Sequence, residues 1–287
     1  MSGQPLPDRH LAPSFVRMSR PVTRRPEPEC RFIEARGTPV YTRLSEHGTR
    51  ETPVLALHGL GVSGRYLLPT MCELLGEHDL YVPDLPGFGR SPRAPQALSV
   101  DEHARVLEAL MEQLGLERAL VYGNSFGCQV AVALAVVAPH RVSRLVLSGP
   151  AIDLSARSTR AQIRRLAKSA FVEPFSLSLL AVADFLRSGP RWMIGTLKRA
   201  MEDRIELKLP QVGCPALVLH GERDALVTEA WSAKVADLLP HGRLIVLPGQ
   251  PHTLNYAAPE LTAQHIREFI EATDEQPVRI RPVTSAP

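Results

Sequence analysis

The pentapeptide Gly123-Asn124-Ser125-Phe126-Gly127 is the stretch of this 287-residue chain best suited to nucleophilic chemistry. An apolar run precedes it, and a run of small residues typical of a packed helix begins near Phe126. A G-x-S-x-G motif between a strand and a helix is typical of a strained turn that exposes a serine at the end of a sheet. The N–H groups of the following helix, led by that of Phe126, would then lie where an oxyanion forms. The competing interpretation is an ordinary strand-to-helix turn.

An activated serine needs a general base and an acid that orients the base. Two later loops, each directly after an apolar strand, provide candidates for both roles. The first loop holds two carboxylates, Glu222 and Asp224, and the second ends in His252. Because the carboxyl ends of parallel strands share one edge of a sheet, we expect these side chains to meet Ser125 there.

Eight short apolar or alternating runs predict strands, and amphipathic runs between them predict helices. The predicted strands are Cys30–Ala35, Pro39–Ser45, Pro53–Leu57, Asp79–Val82, Ala119–Tyr122, Arg144–Leu147, Pro215–Leu219 and Arg243–Leu247. The predicted helices are Tyr66–Leu75, one capped by Ser99, one from about Phe126, Glu229–Leu239 and Pro259–Ala272. This alternation predicts an α/β fold with a mostly parallel eight-stranded sheet and helices on both faces.

The alternation stops between residues 152 and 209, where three or four helices follow one another. This segment is too long for a simple connection, so we interpret it as a helical cap over the strand ends. The predicted organisation is a flexible tail at 1–28, a core at 29–151 and 210–273, the cap at 152–209, and a flexible tail at 274–287.

The cap has an apolar stretch at 171–186 in which Phe175, Leu179 and Phe185 are candidate substrate contacts. Packing alone explains the stretch equally well. The cap also holds eleven basic residues, Arg157, Arg160, Arg164, Arg165, Lys168, Arg187, Arg191, Lys198, Arg199, Arg204 and Lys208. They form either a solvated face, which we favour, or a surface that attracts a substrate carboxylate.

Composition excludes several classes of protein. The formal net charge of +3 is accounted for by residues 1–28, so nothing favours a nucleic-acid partner. Four well-separated cysteines, Cys30, Cys72, Cys128 and Cys214, predict buried thiols in a reducing compartment.

Apolar runs are all shorter than the roughly 18 residues that a membrane span needs. We therefore expect a cytoplasmic protein that acts on a small molecule without a membrane partner. No pattern indicates a flavin, a nicotinamide or a metal, so no cofactor is predicted.

The motifs together resemble those of the α/β-hydrolase fold superfamily, over about residues 30–272. The resemblance rests on the serine turn and on the chain order of serine, acid and histidine. It implies Ser125 as nucleophile, Asp224 as acid and His252 as base.

Two further segments resemble loops of that superfamily. His58-Gly59-Leu60-Gly61 resembles its oxyanion loop, which implies the Leu60 N–H as the partner of the Phe126 N–H. The segment 84–91 resembles its structural loop after the fourth strand, and 152–209 stands where its cap domain is inserted.

Other residues compete for some of these roles. Glu222 and Asp153 are alternative acids, whereas His58, His220 and His265 are best interpreted as structural. Asn124 resembles the Gly-Asn-Ser turn of carbon–carbon bond hydrolases, although those usually have a tryptophan directly after the histidine. The sequence thus predicts a serine esterase. A carbon–carbon bond hydrolase, an acyltransferase and a small-molecule receptor with an intact triad remain alternatives.

Overall fold

A computed structural model describes residues 28–152, 159–169 and 172–274. Its strands are β1 Glu29–Ala35, β2 Thr38–Ser45, β3 Val54–Leu57, β4 Leu80–Pro83, β5 Ala119–Asn124, β6 Val142–Ser148, β7 Ala216–Gly221 and β8 Gly242–Leu247. They form one sheet in the order β1-β2-β4-β3-β5-β6-β7-β8. Strand β2 pairs antiparallel with β1 and β4, and the pairs from β4 through β3 to β8 are parallel. The predicted fold class is therefore confirmed.

Helices flank the sheet and join its strands. They are α1 Leu68–Leu74, α2 Val100–Gln113, α3 Phe126–Val137, α4 Thr159–Ser169, α5 Phe175–Ser188, α6 Pro190–Glu202, α7 Ile205–Lys208, α8 Glu229–Leu238, α9 Leu254–Ala257 and α10 Pro259–Asp274. The helix predicted at Tyr66–Leu75 is in fact a 3₁₀ turn, Gly64–Leu67, followed by α1.

Both faces of the sheet are buried, as the apolar strands require. Along β5, Val121 packs with Leu107 of α2 on one face. Leu120 and Tyr122 pack with Ile266 of α10 on the other. A strand covered on both sides has no polar face, which explains its nearly continuous apolar sequence.

The predicted cap on α2 is present as a capping box. The Ser99 hydroxyl accepts a hydrogen bond from the Glu102 N–H at 3.2 Å, and the Glu102 carboxylate accepts one from the Ser99 N–H at 2.7 Å. This reciprocal pair satisfies donors that a helix start leaves open. The helix is thereby fixed beside α3, which carries the serine turn at its start.

Four helices, α4 to α7, interrupt the alternation between β6 and β7 and are called the inserted helices below. Trp192 and Ile205 from these helices join the apolar cluster on one face of the sheet, and Leu177 joins the cluster on the other. The Gln129 amide of α3 donates to the Ala200 carbonyl at 2.9 Å. The inserted helices are thus attached to the sheet by both apolar and polar contacts.

The four cysteines differ in burial. Cys128 and Cys214 are buried, and burial raises the pKa of both thiols, that of Cys214 to about 12. In contrast, Cys30 is exposed and Cys72 only half-buried, so the expectation of four buried thiols was wrong for these two.

The predicted tails, apart from residues 28 and 274, lie outside the described residues. Within the described helices, none is both long enough and apolar enough to span a membrane.

Candidate active site

Ser125 is the single residue between the end of β5 and the start of α3, and its backbone conformation is one that non-glycine residues rarely adopt. Its φ of +55° and ψ of −116° fall outside the regions where non-glycine residues are comfortable. The Ser125 N–H donates to the Ser148 carbonyl at 3.0 Å, which ties the turn to the end of β6. Strain of this kind costs on the order of 1–3 kcal/mol and persists where the surrounding structure enforces it.

The two glycines of the motif make the turn possible by their lack of a side chain. A Cβ on Gly127 would lie 2.3 Å from the Leu57 carbonyl oxygen, and one on Gly123 would lie 2.5 Å from the Gly127 carbonyl oxygen. Any larger residue would push α3 away from β3 and β5. The spacing of the motif therefore reflects a steric requirement of the serine turn.

His252 and Asp224 come together from the loops after β8 and β7. The Nδ1 atom of His252 lies 2.6 Å from Oδ2 of Asp224, and both side chains are almost completely buried. The other carboxylate oxygen accepts the N–H groups of Leu226 at 2.7 Å and Val227 at 2.9 Å. The acid is thus fixed by three hydrogen bonds and directs Nε2 of the imidazole away from itself.

The electrostatics of this pair oppose the effect of burial. Burial acts to lower the pKa of His252, but the Asp224 charge and hydrogen bond outweigh it, so the pKa is raised above 6.5. Burial acts to raise the pKa of Asp224, but His252 and the two N–H donors outweigh it, so that pKa is lowered. Each partner favours the charged form of the other, which suits a histidine that must accept a proton during a reaction.

Two glycines that the sequence analysis did not single out make room for this pair. Gly149 follows β6 with φ +56°, and a Cβ there would lie 2.8 Å from the imidazole of His252. A Cβ on Gly221 would lie 2.2 Å from the Pro251 carbonyl oxygen in the histidine loop. A glycine directly at the end of a strand was the only available signal for either position.

Three hydrogen-bonding groups of the candidate site have no partner among the described residues. Nε2 of His252 is buried and has no hydrogen-bond partner among the described residues. The N–H groups of Phe126 and Leu60 likewise donate no hydrogen bond within the described part of the chain. Leu60 belongs to the loop after β3, and a Cβ on the adjacent Gly59 would lie 3.2 Å from the Ser125 Cβ. A nucleophile, a basic nitrogen and two free donors are therefore available around one end of the sheet.

His58 supports the loop that contains Leu60. Its Nδ1 lies 2.8 Å from the Gly59 carbonyl oxygen, and its Nε2 accepts the Leu85 N–H at 2.9 Å. Burial lowers the pKa of His58, consistent with a neutral ring that donates from one nitrogen and accepts at the other. The structural interpretation of His58 is therefore supported by its contacts.

The loop after β4 is organised around the buried carboxylate of Asp84. That carboxylate accepts hydrogen bonds from the Arg43 guanidinium at 2.7 Å, the Gly64 N–H at 2.8 Å and the Arg90 N–H at 2.8 Å. A carboxylate with so many donors links β2, the start of the 3₁₀ turn and the 84–91 loop. The segment acts as a structural brace beside the candidate oxyanion loop.

Asn124, which precedes the serine, is engaged in local contacts. Its side chain accepts a hydrogen bond from the Tyr66 hydroxyl and donates to the Ser148 carbonyl at 3.1 Å and the His252 carbonyl at 3.4 Å. These bonds join the serine turn, the end of β6 and the histidine loop. The role of Asn124 visible in the structure is thus to hold three loops together.

Hydrogen-bond contacts distinguish Asp224 from the alternative acid Glu222. Glu222 is exposed and accepts the Gly249 N–H at 2.6 Å, whereas Asp224 contacts His252. Asp153 lies outside the described residues.

The other two histidines that the sequence analysis interprets as structural have partners close by. His220 Nδ1 lies 3.0 Å from the Ser232 hydroxyl, and His265 Nδ1 lies 3.0 Å from Glu268 on the same helix. Both contacts agree with structural roles.

The candidate substrate contacts on α5 face solvent. The side chains of Phe175, Leu179 and Phe185 are 77%, 59% and 41% exposed, while Leu177 of the same helix is buried. Such exposure does not fit side chains that line an enclosed pocket. Alternation of apolar residues along the sequence could not distinguish the inner from the outer face, because the stretch is apolar on nearly every side.

No group of three or more histidine, cysteine, aspartate or glutamate side chains within the described residues is arranged to hold a metal ion.

Comparison with known proteins agrees with this geometry. Residues 52–173 match the family model described as alpha/beta hydrolase fold. Together with the sheet order and the serine turn after β5, this match shows that the chain has the α/β-hydrolase fold.

Relatives with this fold have diverse names. The putative carbamate hydrolase RutD of Caulobacter sp. is 28% identical over 245 residues, which cover 77% of this chain and 91% of that protein. The dihydrolipoyllysine-residue acetyltransferase component of the acetoin cleaving system of Pseudomonas putida is 27% identical over 242 residues. That match covers 78% of this chain but only 64% of the length of the acetyltransferase component. A solved thermophilic esterase from Thermogutta terrifontis is 26% identical, has a TM-score of 0.72, and covers 85% of this chain and 98% of its own.

Proposed function

We propose that the protein is a serine hydrolase that cleaves carboxylic esters, with Ser125, His252 and Asp224 as its catalytic triad. The observation that carries the proposal is the coincidence of a strained Ser125 turn with a buried His252–Asp224 pair whose Nε2 is unpartnered. An imidazole nitrogen buried without a hydrogen bond costs stability, so a functional reason for it is expected.

The proposed reaction uses only groups described at the site. Nε2 of His252 removes the hydroxyl proton of Ser125 as the oxygen attacks the acyl carbonyl carbon. The Phe126 and Leu60 N–H groups hold the resulting oxyanion. The imidazolium, stabilised by Asp224, then gives its proton to the departing alcohol, and a water molecule activated by the same imidazole releases the acid from the acyl-enzyme.

The inserted helices are proposed to act as a cap that selects the substrate. They follow β6 in the chain, and ligands of open α/β sheets bind beyond the carboxyl ends of the strands. The boundaries proposed for the cap are residues 152–209, between core segments 29–151 and 210–273.

The names of the relatives support an acyl carbonyl as the group attacked. Carbamate hydrolase, esterase and acetyltransferase all name reactions at such a carbon, which the proposed triad would attack. The carbon–carbon bond hydrolase alternative rested on Asn124, whose hydrogen bonds to three loops give it a local structural explanation. Ester hydrolysis is therefore the function that we propose for this chain.

The test is turnover of p-nitrophenyl esters, from acetate to long acyl chains, by the wild type and by Ser125→Ala. We expect the variant to lose on the order of a thousandfold or more in kcat/KM, as when an acting triad serine is removed. A matched control is Ser143→Ala, which should leave turnover unchanged. Ser143 lies near the start of β6, whereas the serine turn is bonded to Ser148 at the end of this strand.

Each result distinguishes among the alternatives. Equal activity of the wild type and Ser125→Ala, with both shown to be folded by circular dichroism, would reject the triad. A stable acyl adduct formed once without turnover would favour the receptor. Preferential transfer of the acyl group to an added alcohol over water would favour the acyltransferase.

A further inference from the structure

A groove of about 460 Å³ lies between the loop that connects β4 to α2 and the C-terminal end of α5. Its lining includes Phe32, Arg90, Arg93, Arg187 and Ser188, and none of the proposed triad residues contributes to it. This volume falls within the range of pockets that hold small organic molecules.

The groove concentrates positive charge without a matching carboxylate. Three of its lining residues are arginines, and none of its lining residues is acidic. Arg90 Nη1 donates to the Tyr41 hydroxyl at 2.9 Å, and Arg93 Nη2 donates to the Arg187 carbonyl at 2.7 Å. Within the described residues, none of these guanidinium groups forms an ion pair. The acid next to this loop, Asp84, is buried and already paired with Arg43.

Ser188 provides a second and independent indication that the groove binds a ligand. Its side chain is only 2% exposed, yet its hydroxyl has no hydrogen-bond partner within the described chain. A buried hydroxyl without a partner lowers stability, so a ligand atom that bonds to it would recover part of that loss. Because Ser188 lines the groove, the residue with the unpaired hydroxyl forms part of the groove wall.

One wall of the groove is apolar and fixed in place. The Phe32 side chain is 57% exposed, and its ring packs edge-on against Tyr41 with ring centroids 5.2 Å apart. Arg90 lies over the same Tyr41 ring, with its guanidinium carbon 4.9 Å from the centroid. Tyr41 therefore positions both an apolar surface and a cation toward the groove.

Gly87, which lines the groove, also lies against an inserted helix. A Cβ on Gly87 would lie 2.1 Å from the indole of Trp192, so the loop and α6 are in direct contact there. The neighbouring Met193 reaches the candidate oxyanion loop, within 3.1 Å of a Cβ on Gly61. Two adjacent residues of α6 thus approach the 84–91 loop and the loop that contains Leu60.

We propose that this groove binds a small organic anion, with its carboxylate or phosphate group held by the arginines and Ser188 and its apolar body against Phe32. Planar guanidinium groups bind such anions through paired hydrogen bonds. Binding here does not require the chemistry proposed for Ser125, so the two proposals can fail separately.

The test is isothermal titration calorimetry of the full chain with two probes that contain no ester, benzoate and phenylphosphonate, and with inorganic phosphate. We expect saturable binding of at least one aromatic probe that weakens as salt is raised. Arg187→Gln removes a guanidinium that has no side-chain partner among the described residues and should weaken binding about tenfold or more. Lys198→Gln, which makes the same charge change at an exposed position of α6 outside the groove, should leave binding unchanged.

Ser188→Ala separates a ligand contact from a structural role. We expect it to weaken probe binding several-fold while the urea midpoint stays the same or rises, because the variant removes an unpaired buried hydroxyl. Binding that competes with ester turnover would identify the anion as part of the substrate, and binding without competition would identify a separate ligand; both support the site. Absence of binding, or equal weakening by Arg187→Gln and Lys198→Gln, would overturn the proposal.

Discussion

The carboxyl edge of the sheet and the inserted helices differ in how particular buried side chains are bonded. At the sheet edge, the carboxylates of Asp84 and Asp224 each accept at least three hydrogen bonds. In the inserted helices, Asp184 Oδ2, Ser188 Oγ and Trp192 Nε1 are buried without a partner among the described residues.

Apolar side chains show the same contrast. At the edge, Leu57 and Phe126 are almost fully buried, whereas Phe175, Leu179 and Ile194 of the inserted helices are more than half exposed. Carboxylates that accept several hydrogen bonds, set among buried apolar side chains, hold the surrounding loops in one geometry. Unpaired polar groups and exposed apolar surface instead favour interaction with another molecule. This difference matches the proposed division of roles, with the chemistry at the sheet edge and the selection of ligands at the inserted helices.

The largest expected effect comes from breaking the bonded network at its acid. Asp224→Asn should lower kcat/KM by on the order of a thousandfold or more, because the imidazole loses its correct tautomer and the charge that stabilises its protonated form. The control is Glu222→Gln, an exposed carboxylate of the same loop, which should change kcat/KM little.

The pH dependence gives the same substitution a second readout. His252 must be neutral to accept a proton, so the wild-type rate should fall as pH drops through a pKa above 6.5. Without the Asp224 charge, burial dominates and lowers the pKa of His252, so the acid limb of the Asp224→Asn profile should move to lower pH. Profiles of kcat/KM against pH measure this shift. An acid limb that stays in place would contradict the proposed role of Asp224.

Local sequence patterns were sufficient to predict the sheet edge but not the surfaces of the inserted helices. Gly123 and Gly127 flank Ser125 because the backbones of α3 and β3, respectively, leave no room for a side chain there. The motif therefore expresses a steric requirement of the turn. Periodicity could not tell that Leu177 faces inward and Leu179 outward, since both stand in a stretch that is apolar all round.

Contacts between segments that are far apart in the chain could not be predicted from the sequence. Gly149 approaches His252 across 103 positions of the chain, and only tertiary packing brings them together. The groove beside Arg187 likewise combines residues of β1, the loop after β4 and α5. Such sites depend on how elements are stacked, which a single sequence without an alignment does not reveal.

A smaller effect is expected when the same substitution is made to one ion pair in each region. Arg43→Met leaves the Asp84 carboxylate buried without its cation and should lower the free energy of unfolding by about 3–5 kcal/mol. Arg199→Met breaks the exposed pair with Glu202 in α6 and should cost about 1 kcal/mol or less. Urea denaturation of both variants measures the difference. Equal losses would mean that the sheet edge does not depend on the Asp84 network in the way that the comparison requires.

The smallest effects come from removing the same apolar side chain on two faces of one helix. Leu177 is 5% exposed and packs in the cluster that contains Tyr66, so Leu177→Ala should lower the free energy of unfolding by about 2–4 kcal/mol. Leu179 is 59% exposed, so Leu179→Ala should change it by about 0.5 kcal/mol or less. If both variants lost stability equally, the outer face of α5 would be covered by another part of the protein or by a second molecule. The exposed face of α5 would then be an interface rather than a free surface, and the contrast with the sheet edge would be limited to the polar groups.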